Sequence, residues 1–411
     1  MGDALQHQRR LLLLRCPMEK IEVRGLRKIY GGNPERAIAL LEKGQSKQQI
    51  LEETGCTVAI QEASFDVKAG EIFVIMGLSG SGKSTVLRCL NRLIEPSAGS
   101  VHVDGVDVTR ADRAGLLDVR RRKMAMVFQN FGLLPHRSVI RNVEYGLEMQ
   151  GLERRESRSK AMQALELVGL KGYEEKLPHE LSGGMQQRVG LARAIATDAE
   201  ILLMDEAFSA LDPLIRRQMQ DELLELQSRM NKTIVFITHD LDEALKLGGR
   251  IVIMKDGRIA QLGTPEEILR SPADDYVRAF VEHVDRTKVL TARAIMRRPE
   301  SVVHPKDGPA LAVKRMRESG TSTLFVTNQA RKLVGLVRIE DTLRLMAENK
   351  HSLEGALVTD LPTTSPDTPL AKLVAVAATT QIPIAVVAED QSFLGIVSRA
   401  TLLASIAGEQ P

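Results

Sequence analysis

EIFVIMGLSGSGKST, Glu71–Thr85, is the stretch from which the fold is read. Its opening apolar run reads as a buried strand, and the glycine-rich turn that follows, GLSGSGKST (Gly77–Thr85), opens a helix. The turn fits G-x-x-x-x-G-K-S/T in full. In that pattern the glycines let backbone N–H groups face phosphate oxygens, and the helix N-terminus adds a favourable dipole. Gly77, Leu78, Ser79, Gly80, Ser81, Gly82, Lys83, Ser84 and Thr85 are therefore candidate phosphate-binding residues. Lys83 is placed to reach the β- and γ-phosphates and the Ser84 hydroxyl to ligate Mg²⁺. A chance glycine-rich loop is the alternative, and a strand before with a helix after weighs against it.

Outward from this turn, short apolar runs alternate with helical patterns from Met18 onward, which implies an α/β domain. ILLM (Ile201–Met204) and TIVFIT (Thr233–Thr238) read as further strands. Between Asn130 and Leu181 the strand signal vanishes, SKAMQALELVGL (Ser159–Leu170) reads as helix, and a helical subdomain is expected over about 131–190. ILLMDE (Ile201–Glu206) places Asp205 at a strand tip beside the phosphate loop, suited to holding Mg²⁺ directly or through water. Glu206 follows it and is positioned to orient or deprotonate an attacking water. Most apolar runs ending in Asp-Glu merely begin a loop; the Lys83 loop upstream makes this one a site.

LSGGMQQR (Leu181–Arg188) resembles the signature of the ABC ATPase family. The order and spacing of the family's other elements also match. Gln129 in VFQN stands at the Q-loop, where a metal or water contact is implied. SALD (Ser209–Asp212) resembles the D-loop, and His239 in THD the switch histidine that meets the γ-phosphate. Tyr30 in KIYGG stands where the family stacks an aromatic on adenine, against the plainer reading of a strand-end tyrosine. The match covers about Met18 to Glu282. It implies a P-loop ABC-type α/β ATPase with ATP and Mg²⁺, with Glu206, His239, Lys83 and Gln129 in catalysis and Ser84, Gln129 and Asp205 around the metal. Ser182, Gly183 and Gly184 would present donors at a helix start. The family places that site against the ATP of the opposite subunit, so a homodimer is implied, with Asp212 at its interface. ATP then favours the closed pair and product release opens it, the differential affinity that a switch requires.

The chain has 411 residues, enough for two or three domains, and 43% of them are hydrophobic and 27% charged, as in ordinary folded proteins. No stretch approaches the ~20 apolar residues of a membrane span, so the chain is not itself a channel. Cys16, Cys56 and Cys89 are far apart and lack metal-type spacing, which suits a reducing compartment. Arg9-Arg10 precedes only four leucines, too few for a signal peptide, and residues 1–17 are read as a disordered leader or a start misassigned ahead of Met18. Net charge is +3, but residues 283–350 hold 14 Lys/Arg against 7 Asp/Glu and residues 351–411 hold 2 against 6. This basic excess is too diffuse to imply a nucleic-acid partner.

After Glu282 the pattern changes to an internal repeat. KLVGLV (Lys332–Val337) matches SFLGIV (Ser392–Val397), TLFVTN (Thr323–Asn328) matches PIAVVA (Pro383–Ala388), and Gly335/Gly395 and Pro309/Pro369 are each 60 residues apart. Each unit, 283–350 and 351–411, reads helix, strand, turn, strand, helix. The pair resembles tandem CBS domains, which implies an adenine-nucleotide or cyclic-dinucleotide cleft, or a packing module without ligand. The family's G-h-h-S/T-x-x-D ending is incomplete in both copies: GLVRIED has Arg338 at the hydroxyl position but keeps Asp341, and GIVSRAT keeps Ser398 but has Thr401 at the acid position. A second reading of the basic copy is a salt-sensitive contact with anionic lipid through Arg297, Arg298, Lys314, Arg315, Arg317, Arg331 and Lys332, against an ordinary solvated face.

NPERAIALLEKGQSKQQILEETG (Asn33–Gly55) reads as two short helices, the second with a capping box from Ser46 and Gln49. This insertion and the C-terminal repeats make nearly the whole chain similar to the ATP-binding subunits of glycine betaine/proline importers. That similarity implies two membrane-spanning permease subunits, a solute-binding protein met only indirectly, and a peripheral place on the cytoplasmic face of the inner membrane. Phe131, Leu133 and Leu134 in FGLLPHRSVIRNV either line a groove for the permease or belong to the core. Rival readings are an importer ATPase for choline or carnitine, a soluble non-transport ABC ATPase, and a nucleotide-sensing module.

Overall fold

The apolar runs form strands covered on both faces. Every residue of β3 (Ile72–Met76), β7 (Ile201–Asp205) and β8 (Thr233–Thr238) is buried, as continuous hydrophobic runs in a parallel sheet require. These strands belong to the first of two units, Met1–Glu282 and His283–Pro411, into which the chain divides. The computed structural model describes residues 19–282 and 284–407, so the expectations for residues 1–17 and Met18 lie outside the described residues. Among the described residues no helix is long and apolar enough to cross a membrane.

The first unit is built on a ten-stranded sheet of order β5-β4-β1-β2-β10-β9-β3-β8-β7-β6. The added strands are β1 (Glu19–Tyr30), β2 (Thr57–Lys68), β4 (Ala98–Val103), β5 (Val106–Asp107), β6 (Met124–Val127), β9 (Arg250–Lys255) and β10 (Arg258–Gly263). The run β9-β3-β8-β7-β6 is parallel, while β5-β4-β1-β2 is antiparallel. One core spans both regions, with Phe65 of β2 stacked on Phe73 of β3 at 5.2 Å between ring centroids. Burying each such ring contributes about 1.5–3 kcal/mol.

The parallel strands all end at one edge, and each releases its chain into a loop there. β3 runs into the glycine-rich turn, β6 into Gln129, β7 into Glu206 and β8 into His239. Ligands in open parallel sheets sit outside the carboxyl ends of the strands, so the topology alone gathers these four loops. Beyond β6 the helices Val139–Gln150, Arg154–Leu167 and Gly183–Ala196 form the helical part, which runs a little further than the sequence suggests. Asn142, fully buried, ties its entry loop. It accepts from the Leu134 N–H at 2.7 Å and donates to the carbonyls of Leu134, Arg137 and Ser138 at 2.9–3.1 Å. The insertion is indeed two helices, Pro34–Glu42 and Lys47–Thr54, packed on a small core of Ile29, Ala37, Ile50, Cys56 and Val58. The two described cysteines, Cys56 and Cys89, are free and buried, and burial pushes the Cys89 thiol up to about 12.

The second unit contains two three-stranded sheets, β11 (Val302–Val303), β12 (Thr323–Thr327), β13 (Leu333–Arg338) and β14 (Thr363–Thr364), β15 (Ile384–Val387), β16 (Phe393–Val397). Each repeat reads strand, helix, strand, strand, helix; the leading strand has only two residues and leaves no periodic signal. The repeats exchange their leading segments. Arg297, ahead of the first repeat's sheet, makes paired backbone bonds with Ile396 of the second repeat at 3.0 and 2.9 Å, and Val358, ahead of the second repeat's sheet, does so with Leu336 of the first at 2.9 and 2.8 Å. The glycines 60 residues apart permit this: a Cβ on Gly335 would lie 2.8 Å from the Val358 carbonyl oxygen, and one on Gly395 2.8 Å from that of Arg297. Between the sheets Phe325, Leu336 and Ala385 pack with Leu333, Phe393 and Ile396, and Phe325 meets Phe393 at 5.2 Å.

Candidate active site

The glycine-rich turn is held open by its backbone. Gly77, Gly80 and Gly82 have φ of 147°, 79° and 101°, conformations that side chains disfavour. A Cβ on Gly77 would meet the Met254 carbonyl oxygen at 2.3 Å, and one on Gly82 that of Ala59 at 2.7 Å. The Ser81 hydroxyl is buried within the turn without a hydrogen-bond partner among the described residues. Lys83 begins the helix Lys83–Leu90 and donates to the carbonyls of Gly77 and Leu78 at 2.9 and 3.1 Å. Burial lowers its pKa, an effect that Glu206 and Asp205 oppose. A cradle of glycine amides, an unpartnered buried hydroxyl and a partly desolvated ammonium fit a polyphosphate.

Across β8, Asp205 is almost wholly buried, and both its oxygens are engaged. Ser84 donates to Oδ1 at 2.8 Å and Arg88 to Oδ2 at 3.1 Å. A hydroxyl beside a carboxylate is a hard-oxygen donor set of the kind magnesium takes. Glu206 comes next with φ of 45°, the left-handed region. Its N–H is bound by the Ile237 carbonyl at 3.1 Å, and its own carbonyl accepts from the Ser209 hydroxyl at 2.9 Å. The Glu206 carboxylate takes Gln129 Nε2 at 3.3 Å and lies 3.2 Å from His239 Nδ1. Gln129 also reaches the Ser209 hydroxyl at 3.4 Å. The structure thus brings Lys83, Ser84, Gln129, Asp205, Glu206 and His239 to one edge.

The remaining candidates stand apart from this group. Leu78 is exposed, while Thr85 lies in the first turn of the helix. Tyr30 ends β1, exposed, with Lys28 Nζ 4.8 Å from its ring centroid. Ser182 is the N-cap of Gly183–Ala196 and accepts from the Met185 N–H at 3.4 Å. Gly184 faces Ile215, whose Cγ2 would lie 2.7 Å from an added Cβ, and Gly183 faces the Phe131 ring. Asp212 caps the helix Pro213–Met230, accepting from the N–H groups of Leu214 and Ile215 at 3.1 Å.

Of the three apolar residues after Gln129, only Leu134 lines a cleft of about 540 Å³, together with Leu93, Phe128, Tyr145 and Met149. Phe131 lies instead along Gly183–Ala196, where Arg193 donates to its carbonyl at 3.1 Å and to that of Gly132 at 2.6 Å. Arg216 similarly reaches the carbonyls of Ser209 and Leu211 and the carboxylate of Asp240 at 3.1–3.4 Å. Sequence reasoning missed Arg88, Arg193 and Arg216. Only Arg88 left a signal, one helical turn beyond Ser84.

In the second unit Asp341 pairs with Arg344 at 3.1 Å. Thr401 is buried with its hydroxyl 2.8 Å from that of Ser398. Ser398 lines a cavity of about 350 Å³ with Thr380, Ile382 and Arg399. Six of the seven basic candidates are exposed; the seventh, Arg315, is half-buried and donates to the Val302 carbonyl.

A model of the ABC transporter family matches residues 60–209, and one of the CBS domain matches residues 292–348. The chain is 56% identical to the glycine betaine/carnitine transport ATP-binding protein GbuA of Listeria monocytogenes serotype 1/2a, over 96% of this chain and 99% of that one. It is 52% identical to the glycine betaine transport ATP-binding protein OpuAA of Bacillus subtilis, over 95% and 93%. Among solved structures, a dimeric bacterial ABC transporter cassette is similar at 31% identity with a TM-score of 0.51, covering 60% of this chain and 98% of the cassette.

Proposed function

The chain belongs to the ATP-binding subunits of ABC transporters, and from that premise we propose that it hydrolyses ATP to drive import of a small quaternary-ammonium solute of the glycine betaine and proline betaine type. The observation behind the catalytic part is the Glu206 carboxylate, held by Gln129 and His239 one residue beyond the Ser84–Asp205 pair. The turn's N–H groups and Lys83 bind the phosphates, and Tyr30 stacks on adenine, worth about 1–3 kcal/mol by analogy with base stacking. Ser84 and Asp205, with Gln129, would hold Mg²⁺, which when bound would supply charge neutralisation at the phosphates. Glu206 takes the proton of the attacking water, and His239 keeps the carboxylate oriented. Ser182, Gly183 and Gly184 of a second copy complete each site, with Asp212 at the interface.

The working complex in this reading is a homodimer under two permease subunits, peripheral on the cytoplasmic face of the membrane, fed by a solute-binding protein. The second unit regulates it, through anionic lipid on its exposed basic residues or a nucleotide in the Ser398 cavity. Carnitine or choline as cargo is a second reading, favoured by relatives so described. Glu206→Gln tests the chemistry: ATP binding should persist while hydrolysis falls by about 10²–10⁴-fold. Near-normal turnover would overturn the assignment. Betaine-stimulated ATPase activity with a salt threshold, in the membrane-reconstituted complex, tests the transport reading.

A further inference from the structure

We propose that Arg88 is a positioning residue for the metal, fixing the Asp205 carboxylate so that Oδ1 alone faces the Ser84 side. This deepens the reading above and rests on Ser84 and Asp205 being the metal's holders. Ser84 and Arg88 lie four residues apart on the helix Lys83–Leu90, one turn on the same face, so they approach one carboxylate together. Each takes a different oxygen, Ser84 at 2.8 Å and Arg88 at 3.1 Å. The Asp205 side chain is 3% exposed and that of Arg88 46%, so the pair joins a buried anion to a cation at the solvent boundary.

Such a carboxylate needs a partner, because an uncompensated buried charge is strongly destabilising. Lys83, the cation that opens the same helix, does not supply that contact: its ammonium is bound to the Gly77 and Leu78 carbonyls. With Oδ2 held by one guanidinium N–H of Arg88, rotation of the carboxylate about its terminal bond is opposed, and its second oxygen is kept beside the Ser84 hydroxyl. Residues that orient metal ligands in this way typically change metal affinity by about 10–100-fold when removed.

The test uses the full chain carrying Glu206→Gln, so that nucleotide is not consumed. ATP affinity is measured with Mg²⁺ and with EDTA, and the ratio of the two is the metal's tightening of ATP. Arg88→Ala and Arg88→Met, the latter keeping the apolar stem without a donor, should each cut that ratio about 10-fold or more while leaving the EDTA affinity within about twofold. An unchanged or increased ratio in both overturns the proposal, as does equal weakening with and without Mg²⁺. A loss confined to Arg88→Ala assigns the effect to packing and also overturns it. Ser84→Ala and Asp205→Asn are controls. If they too leave the ratio intact, the reading of the metal's holders fails; if they abolish it and the Arg88 variants do not, only the present inference fails.

Discussion

Glu206 keeps a left-handed backbone with a φ of 45°, a conformation that costs a non-glycine residue on the order of 1–3 kcal/mol and persists only where neighbours impose it. Its N–H bond to Ile237 and the Ser209 bond to its carbonyl do so, and the result is a carboxylate aimed at Gln129 and His239 rather than along the strand. A second carboxylate nearby shows the opposite use of burial. Glu243 is raised above the usual carboxylate range by burial and the charge of Asp240, against the opposing pull of Thr238, Gln220 and Arg216. Since its folded pKa exceeds the unfolded one, its favourable contribution is complete below the ordinary carboxylate range and is lost as pH rises through the folded pKa. Glu243→Gln keeps an acceptor for Gln220, which donates to Glu243 at 3.0 Å. It should raise stability by about 1 kcal/mol at pH 8 and by nearly nothing near pH 4, read from thermal melts at both values. At this scale the positions of the glycine-rich turn, Asp205, Glu206 and His239 were legible because an apolar run marks the strand before each or containing it, whereas Gln129, Ser182, Gly183, Gly184 and Asp212 were placed by family resemblance. Arg193 and Arg216 were not legible, because a lone arginine on a helix carries no spacing rule, and Arg88 offered only its place one turn beyond Ser84, with its carboxylate partner 117 residues away.

The helices and strands were legible in proportion to their length. β3, β7 and β8 announce themselves as unbroken apolar runs, and the insertion's second helix announces its own start. The Ser46 hydroxyl accepts from the Gln49 N–H at 3.3 Å while the Gln49 side chain accepts from the Ser46 N–H at 2.8 Å. The helix ends at Gly55, whose φ of 68° suits a left-handed cap, with its N–H on the Leu51 carbonyl at 2.8 Å. Ser46→Ala should cost this element about 1 kcal/mol, seen as roughly fivefold faster hydrogen exchange at the Ile50 and Gly55 amides. Unchanged exchange there would mean that packing on Ile50, not the cap, fixes the helix. The two-residue strands β11 and β14 and the π-helical turn Val119–Lys123 escaped the sequence, because none is long enough to show a period.

Over the whole molecule, the 60-residue period between Gly335 and Gly395 was legible, but the exchange of leading segments was not, since spacing shows that two units are alike and not that each completes the other. The exchange makes a specific prediction for shortened chains. A chain ending at residue 282 should retain a protease-resistant ATP-binding unit. One ending at residue 350 should keep that unit but lose protection over 284–350, because Leu336 then lacks Val358 and Phe325 lacks Phe393. Stable protection of 284–350 in limited proteolysis would show the first repeat to be self-sufficient. The reciprocal clasp also makes the two copies interdependent. Two halves that each lend a backbone segment to the other's sheet are paired reciprocally, as two copies of a homodimer are. The two copies differ in charge, one rich in cations and the other in acids, yet each has a glycine at its crossing, where a side chain would collide with the lent segment.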